Sequence, residues 1–271
     1  MRLNIDKKAV QSSFSKAAPH YDQFAQLQRD IGEQLLHNVV NDNTATATPM
    51  PLASKIVDLG CGTGYFSEKL NQAFVDAELT CFDLSEAMLK QTQQRSLKNV
   101  TFEQGDIDQL PFANESVDII YSNLVVQWSE NLKHCLQQIK KALSQDGKAY
   151  ISTLLSGTLF ELTEAWKQVD DAVHTNRFLA LEEVNLILSE LNFSKVQIKT
   201  ETRTLQYDSV IEVMRALKGI GANHVHRDDN QNIKPTGKDR LIKLDMGYAP
   251  FKNAQGKLNL TYQVCYIEVL K

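Results

Sequence analysis

The sequence predicts an α/β chain: a doubly wound, seven-stranded, mostly parallel sheet, with helices preceding it and a C-terminal lid insertion. Three observations predict this. Short apolar runs alternate with helical periodicity from residue 53 onward, the pattern of parallel βαβ units. The first run, Lys55 to Leu59, passes straight into Gly60-Cys61-Gly62-Thr63-Gly64 and then into a helical pattern at Phe66, Leu70 and Phe74. Polar residues, Asp58, Asp83, Asp106 and Asn123, close four successive strands, at the edge where open α/β sheets take their ligands.

Taken in order, residues 9–40 read as mostly helical. Leu27, Ile31, Leu35 and Val39 form one apolar stripe. Pro19 breaks the helical pattern and puts Tyr21 at a helix start or turn. Asn41 to Ser54 is polar, Thr/Ala-rich and carries Pro49 and Pro51, the signature of a linker. Strands follow at Glu78–Phe82, Val100–Glu103, Val117–Tyr121 and Lys148–Leu154. Helices stand between them at Glu86–Arg95, capped by Ser85, and at Leu132–Leu143. Beyond Leu155 come amphipathic helices at Leu159–Val173 and Leu181–Leu191, a strand at Val196–Leu205, a helix at Val210–Lys218 and a final strand at Leu258–Val269. The intervening Asn223–Asn253 is charged and interrupted by Pro235, Gly237, Gly247 and Pro250, so it reads as an irregular lid over the ligand crevice. The organisation expected is a helical cap and linker over 1–52, a cofactor-binding core over 53–155, and substrate-side helices, the last two strands and the lid over 156–271.

Composition narrows the function. No apolar run approaches the roughly 18 residues a membrane helix needs. The opening Met1-Arg2-Leu3-Asn4-Ile5-Asp6 lacks the apolar segment of a signal peptide. The four cysteines (Cys61, Cys81, Cys135, Cys265) show no paired spacing, which points to a reducing cytoplasm and no metal site. A net charge of −4 does not indicate a nucleic-acid binder. The charge is uneven, however: Lys195 to Lys257 carries 12 Lys/Arg against 7 Asp/Glu, a basic stretch suited to an acidic partner.

The glycine loop narrows the ligand. Glycines let a ligand approach the backbone closely, because no Cβ intervenes. A dinucleotide fingerprint needs a third glycine where Tyr65 stands, and Asp58 would oppose a pyrophosphate. A carboxylate there suits a ligand bearing an ammonium or sulfonium group. Cys61 reads as a small side chain tolerated in a tight turn, not as a nucleophile. None of the six histidines occupies a convincing base position, His20 beside Tyr21 being the nearest. That favours an acceptor already ionised at neutral pH, such as a carboxylate with a pKa of about 4.

Asp58-Leu59-Gly60-Cys61-Gly62-Thr63-Gly64 resembles the first motif of class I S-adenosylmethionine methyltransferases. The flanking segments resemble, more specifically, the malonyl-acyl-carrier-protein O-methyltransferase family of biotin synthesis: Phe14–Gln28, Ser122–Trp128, Met214–His224 and Leu260–Tyr266. The resemblance implies S-adenosylmethionine as cofactor, S-adenosylhomocysteine as product, no metal, and a malonyl thioester on acyl carrier protein as substrate. It implies Gln28 among the cofactor-binding residues, Asp58 near the methionine amino group, Gly60, Cys61 and Gly62 along methionine and ribose, and Asp83 on the ribose hydroxyls. Leu84 and Met88 would flank adenine, Asp106 and Ile107 would meet its exocyclic edge, and Asn123 would stand where cofactor and substrate come together. Tyr21 would donate near the transferring methyl, and Lys218, with Arg215 one turn earlier as the alternate, would hold the substrate carboxylate. Gln127 and Trp128 would line the same pocket, and the basic stretch would dock the carrier protein. Two other readings stay open at this point: methylation of another small molecule, for example at carbon on a quinone ring, and S-adenosylmethionine binding without catalysis.

Overall fold

The computed structural model describes residues 5–44, 54–222 and 237–271. The expected alternation is realised as one seven-stranded sheet in the order β3-β2-β1-β4-β5-β7-β6. The strands are β1 (Lys55–Leu59), β2 (Glu78–Asp83), β3 (Val100–Gln104), β4 (Val117–Asn123), β5 (Leu143–Leu154), β6 (Lys195–Tyr207) and β7 (Leu258–Leu270). Neighbours among β1 to β5 run parallel, whereas β7 runs antiparallel to both β5 and β6. Strand order reverses at β1, so a crevice opens beyond the carboxyl ends of β1 and β4.

Helices cover both faces. On one lie α3 (Gln26–Thr44) and α4 (Tyr65–Ala73). The predicted stripe Leu27, Ile31, Leu35 and Val39 is buried there against Phe66, Leu70, Tyr121 and Tyr150. Each fully buried leucine or isoleucine contributes about 1.5–3 kcal/mol. On the other face, α6 (Leu132–Ala142) and α8 (Leu181–Leu191) bury Leu136, Ile139, Val184 and Leu188. The Pro19 break is present: α1 (Lys7–Ala17) ends before it, and Tyr21 opens the short α2 (Tyr21–Phe24). The α5 helix (Glu86–Thr92) starts at Ser85, whose hydroxyl accepts from Met88 N at 3.3 Å.

Two expectations need correction. The helix expected over 159–173 is shorter, α7 (Phe160–Lys167). Asp170 Oδ1 accepts from Ala172 N at 3.0 Å, an Asx turn that takes the following chain out of helix. The expected irregular lid also differs. Residues 223–236 lie outside the described residues, but Lys238–Tyr248 is a helix, α10, following α9 (Val210–Gly219). Leu244 and Tyr248, four apart, are buried on it, and Gly247 allows close contact with α7, because a Cβ there would sit 2.6 Å from Ala165 O. Gly237 and Gly247, read as breakers, mark its start and its packing contact. Among the described residues, no helix is long and apolar enough to cross a membrane.

Candidate active site

The glycine loop joins β1 to α4 at the crevice. Gly60 N and Cys61 N both donate to Phe82 O, at 2.7 and 3.0 Å, which ties the loop to β2. Gly60 has φ +79°, and a Cβ there would lie 2.2 Å from Val125 Cγ2. Gly62, at φ +57°, differs: a Cβ there would meet nothing within 4 Å, so its open side faces the crevice. Its N–H donates to Asp83 Oδ2 at 2.9 Å. Cys61 is buried and its thiol is pushed up by burial, the state of an inert packing residue.

Two acids stand beneath this loop. Asp58 is buried and accepts from Ser67 Oγ at 2.6 Å. Burial raises its carboxyl to about 7, the Ser67 hydrogen bond opposing the shift and Asp83 adding to it. Asp83 accepts from Gly62 N and, through Oδ1, from Ser85 N at 2.8 Å; burial raises it to about 6 against those two bonds. Asp106, two residues past β3, is paired with Lys7 Nζ at 2.6 Å, and the same ammonium reaches Asp108 at 2.7 Å. Asn123 cross-braces the site, accepting from Ser152 Oγ at 2.7 Å and donating to Gln28 O at 2.9 Å.

These residues enclose two connected pockets. The first is walled by Asp83, Leu84, Met88, Asp106 and Ile107, and covered by Lys7, Val10, Gln11 and Phe14 of α1. Gln11 Nε2 donates to Leu84 O at 2.8 Å and Ser15 shares a 2.8 Å hydrogen bond with Ser85, so α1 is fastened across the opening. The second holds Gln28, Asp58, Cys61 and Thr63. Gly60, Gly62, Asn123 and Tyr21 belong to both. Burial, with Asp83 and Asp22 nearby, keeps the Tyr21 phenol well above its usual range, so it stands as a donor. Gln28, which lines the second pocket, has its Oε1 buried without a hydrogen-bond partner.

Tyr21, Phe14, Leu124 and Trp128 also wall a third space, a chamber of about 100 Å³. Its lining also includes Gln28, Gln127, His174 and Phe178, with Met214 and Leu217 of α9 and Ile220 just past its end. Gln127, Trp128 and His174 continue into an outer cleft of about 830 Å³ bordered by α7 and residues 170–178. The expected carboxylate binders, Lys218 and Arg215, lie exposed on α9 and do not line the chamber. His20 is exposed at the start of α2 and borders none of these pockets. Lys7, Gln11 and His174 were not read from the sequence as site residues. A lone lysine or glutamine in an N-terminal helix gives no signal, and His174 lies just past the helix read over Leu159–Val173, in a stretch assigned no element.

Comparisons with known proteins agree with this geometry. Residues 53–209 match the family model described as a methyltransferase domain. Among solved structures, the YcgJ protein from Bacillus shares the fold, with a TM-score of 0.60 and 18% identity over 88% of this chain and 98% of that one. The biotin biosynthesis bifunctional protein BioHC of Cellvibrio japonicus is 35% identical over 98% of this chain, but the match spans 51% of that protein. The chain thus covers about half the length of the bifunctional relatives. The malonyl-[acyl-carrier protein] O-methyltransferase of Serratia marcescens is 37% identical over 97% of this chain and 95% of its own length. With the glycine loop, the strand-end acids and near-complete coverage in agreement, the chain belongs to the malonyl-[acyl-carrier protein] O-methyltransferase family.

Proposed function

We propose that the chain methylates the free carboxylate of a malonyl thioester carried on acyl carrier protein, using S-adenosylmethionine, to give the methyl ester that primes pimeloyl synthesis for biotin. The observation that carries the reading is the meeting of a glycine-and-acid crevice with a small chamber, Tyr21 lining both the chamber and the two pockets of the crevice. The crevice suits the cofactor. Gly62 leaves space against its backbone, Gln28 offers an unpartnered acceptor, and Asp58 offers a carboxylate to an ammonium. Asp83 keeps acceptor capacity for ribose hydroxyls, since each oxygen holds a further lone pair. Leu84, Met88 and Ile107 supply the apolar walls for a purine, with Asp106 at their edge. When bound, S-adenosylmethionine supplies a methyl group on a positively charged sulfur, and its transfer to a carboxylate cancels one charge of each sign.

The protein's own part is alignment and exclusion of water. Phe14, Leu124 and Trp128 close the chamber with apolar surface, and Tyr21 presents a phenolic O–H at the boundary with the crevice. An acceptor carboxylate, with a pKa of about 4, arrives ionised, so the reaction needs no base. The positive charge of the stretch 195–257 suits an acidic carrier protein, and the outer cleft gives a slender thioester arm a route to the chamber. Mass spectrometry of malonyl-acyl carrier protein after incubation with enzyme and S-adenosylmethionine tests the proposal. One added methyl, absent when acetyl-carrier protein is used instead, is the expected result; an unchanged malonyl species rejects it.

A further inference from the structure

The chamber poses a charge problem. A malonyl carboxylate entering it leaves water, and a buried anion needs a cationic or multiply donating partner. Among the described residues that line the chamber, His174 is the one side chain able to carry a positive charge. It is well placed for it. The side chain is 6% exposed, its ring stacks on Trp166 with centroids 3.8 Å apart and planes 11° apart, and Nε2 lies 2.7 Å from Asp170 Oδ1. The other oxygen of Asp170 pairs with Arg240 Nη2, whose guanidinium carbon lies 5.7 Å from the Trp166 ring centroid.

This chain of groups has a consequence for charge. Asp170 alone would neutralise an imidazolium and leave nothing for a substrate anion. Arg240 from α10 offsets Asp170, so an imidazolium at His174 would leave the group of three with one net positive charge at the chamber wall. Hydrogen bonds from His174 and Ala172 N–H, with the Arg240 charge beside them, outweigh partial desolvation and hold the Asp170 carboxyl below its usual range, so it stays ionised. With Nε2 committed to Asp170, Nδ1 is the ring atom left to meet a ligand. We infer that His174, positioned by Asp170, Arg240 and Trp166, binds the acceptor carboxylate and gives the enzyme its preference for an anionic acyl group. A single imidazolium N–H holds one carboxylate oxygen and leaves the other free to react, whereas a bidentate arginine would engage both. The inference rests on the proposed methyltransferase reaction, and it moves the binding role from Lys218 and Arg215 on the exposed face of α9 to the segment after α7.

The test measures binding of malonyl-carrier protein and acetyl-carrier protein to the enzyme saturated with S-adenosylhomocysteine, for wild type, His174→Gln and Asp170→Asn. Wild type should prefer the malonyl form by about tenfold or more, the size expected of one charge-assisted hydrogen bond. His174→Gln should reduce that preference to within about threefold while keeping its S-adenosylhomocysteine affinity, and Asp170→Asn should fall between. General damage to the fold weakens both carriers alike, so the ratio reports the carboxylate contact alone. A His174→Gln enzyme that keeps the malonyl preference overturns the inference. If that variant does not fold, an Asp170→Asn enzyme with unchanged preference does so equally. A wild-type enzyme that neither prefers malonyl nor forms the ester rejects the underlying reaction instead, and the two failures are thereby separate.

Discussion

Asp83 shows how much one side chain is asked to do. Its two oxygens hold Gly62 N and Ser85 N, fixing the glycine loop and the start of α5 at once, and its remaining lone pairs face the crevice. Because burial raises Asp58 to about 7 and Asp83 to about 6, the ligand-free fold holds their protons longer than the unfolded chain does. This contribution to stability is therefore present at low pH and falls as pH rises from the ordinary carboxylate range through about 7. Binding of an ammonium-bearing ligand runs the other way, because it needs the ionised form. S-adenosylhomocysteine affinity, followed by calorimetry, should rise as pH passes upward through about 6 to 7, with proton release, and Asp58→Asn should flatten that rise. Gly62 offers a sharper separation of fold from function. Gly62→Val faces open space, so it should fold at a cost of about 1–2 kcal/mol for its left-handed backbone and yet lose cofactor binding. Near-normal affinity in a folded Gly62→Val protein would remove the glycine loop from the cofactor site. These residues were legible in the sequence because strand ends advertise themselves. His174 was not, since its role depends on which way one turn after α7 carries the chain. The outward placement of Lys218 does follow from periodicity once Val210, Val213 and Leu217 are recognised as the buried stripe of α9.

At the scale of elements, α1 acts as a cover held by polar contacts. Lys7 to Asp106 and Asp108, Gln11 to Leu84 and Ser15 to Ser85 all cross from α1 to the crevice wall. The α1 amides should exchange hydrogen more slowly once S-adenosylhomocysteine is bound, since Lys7, Val10, Gln11 and Phe14 wall that pocket. Unchanged exchange would mean that the cover does not feel the ligand. Packing of α10 on α7 is more demanding. Gly247→Leu forces a side chain into Ala165 O and should destabilise the protein by about 1–3 kcal/mol, read as a lowered Tm. The same change should loosen Arg240 from Asp170. Strands and long helices were readable from their periods, and six of the seven strands needed only end adjustments. The exception, β5, begins five residues early because it follows α6 without a loop and shifts register beside Val117. The α10 helix was misread because glycine signals a break in sequence, whereas in the fold it also signals two backbones in contact.

Across the whole molecule, charge is divided between a net-acidic chain and a basic stretch from Lys195 to Lys257. If that stretch guides an acidic carrier protein, KM for malonyl-carrier protein should rise steadily with added salt toward about 0.3 M while kcat holds, since exposed charges are screened over roughly a Debye length. A KM indifferent to salt would place docking on other surfaces. The fold class and the sheet were available from the sequence in outline, but the sequence alone does not bring a chamber wall together from α2, α9 and the turn after α7. Such walls come from long-range contacts.

The position of β7 carries a consequence for how this protein is made. It is the last of the seven strands to leave the ribosome, yet it sits between β5 and β6 and, among the described residues, is the sole sheet neighbour of β6. Until Leu258–Leu270 has been synthesised, the nascent chain exposes two unmatched strand edges, which are templates for aggregation. A premature stop codon just ahead of Leu258 would therefore cost far more than the one strand it removes, for it would leave β6 without a place in the sheet.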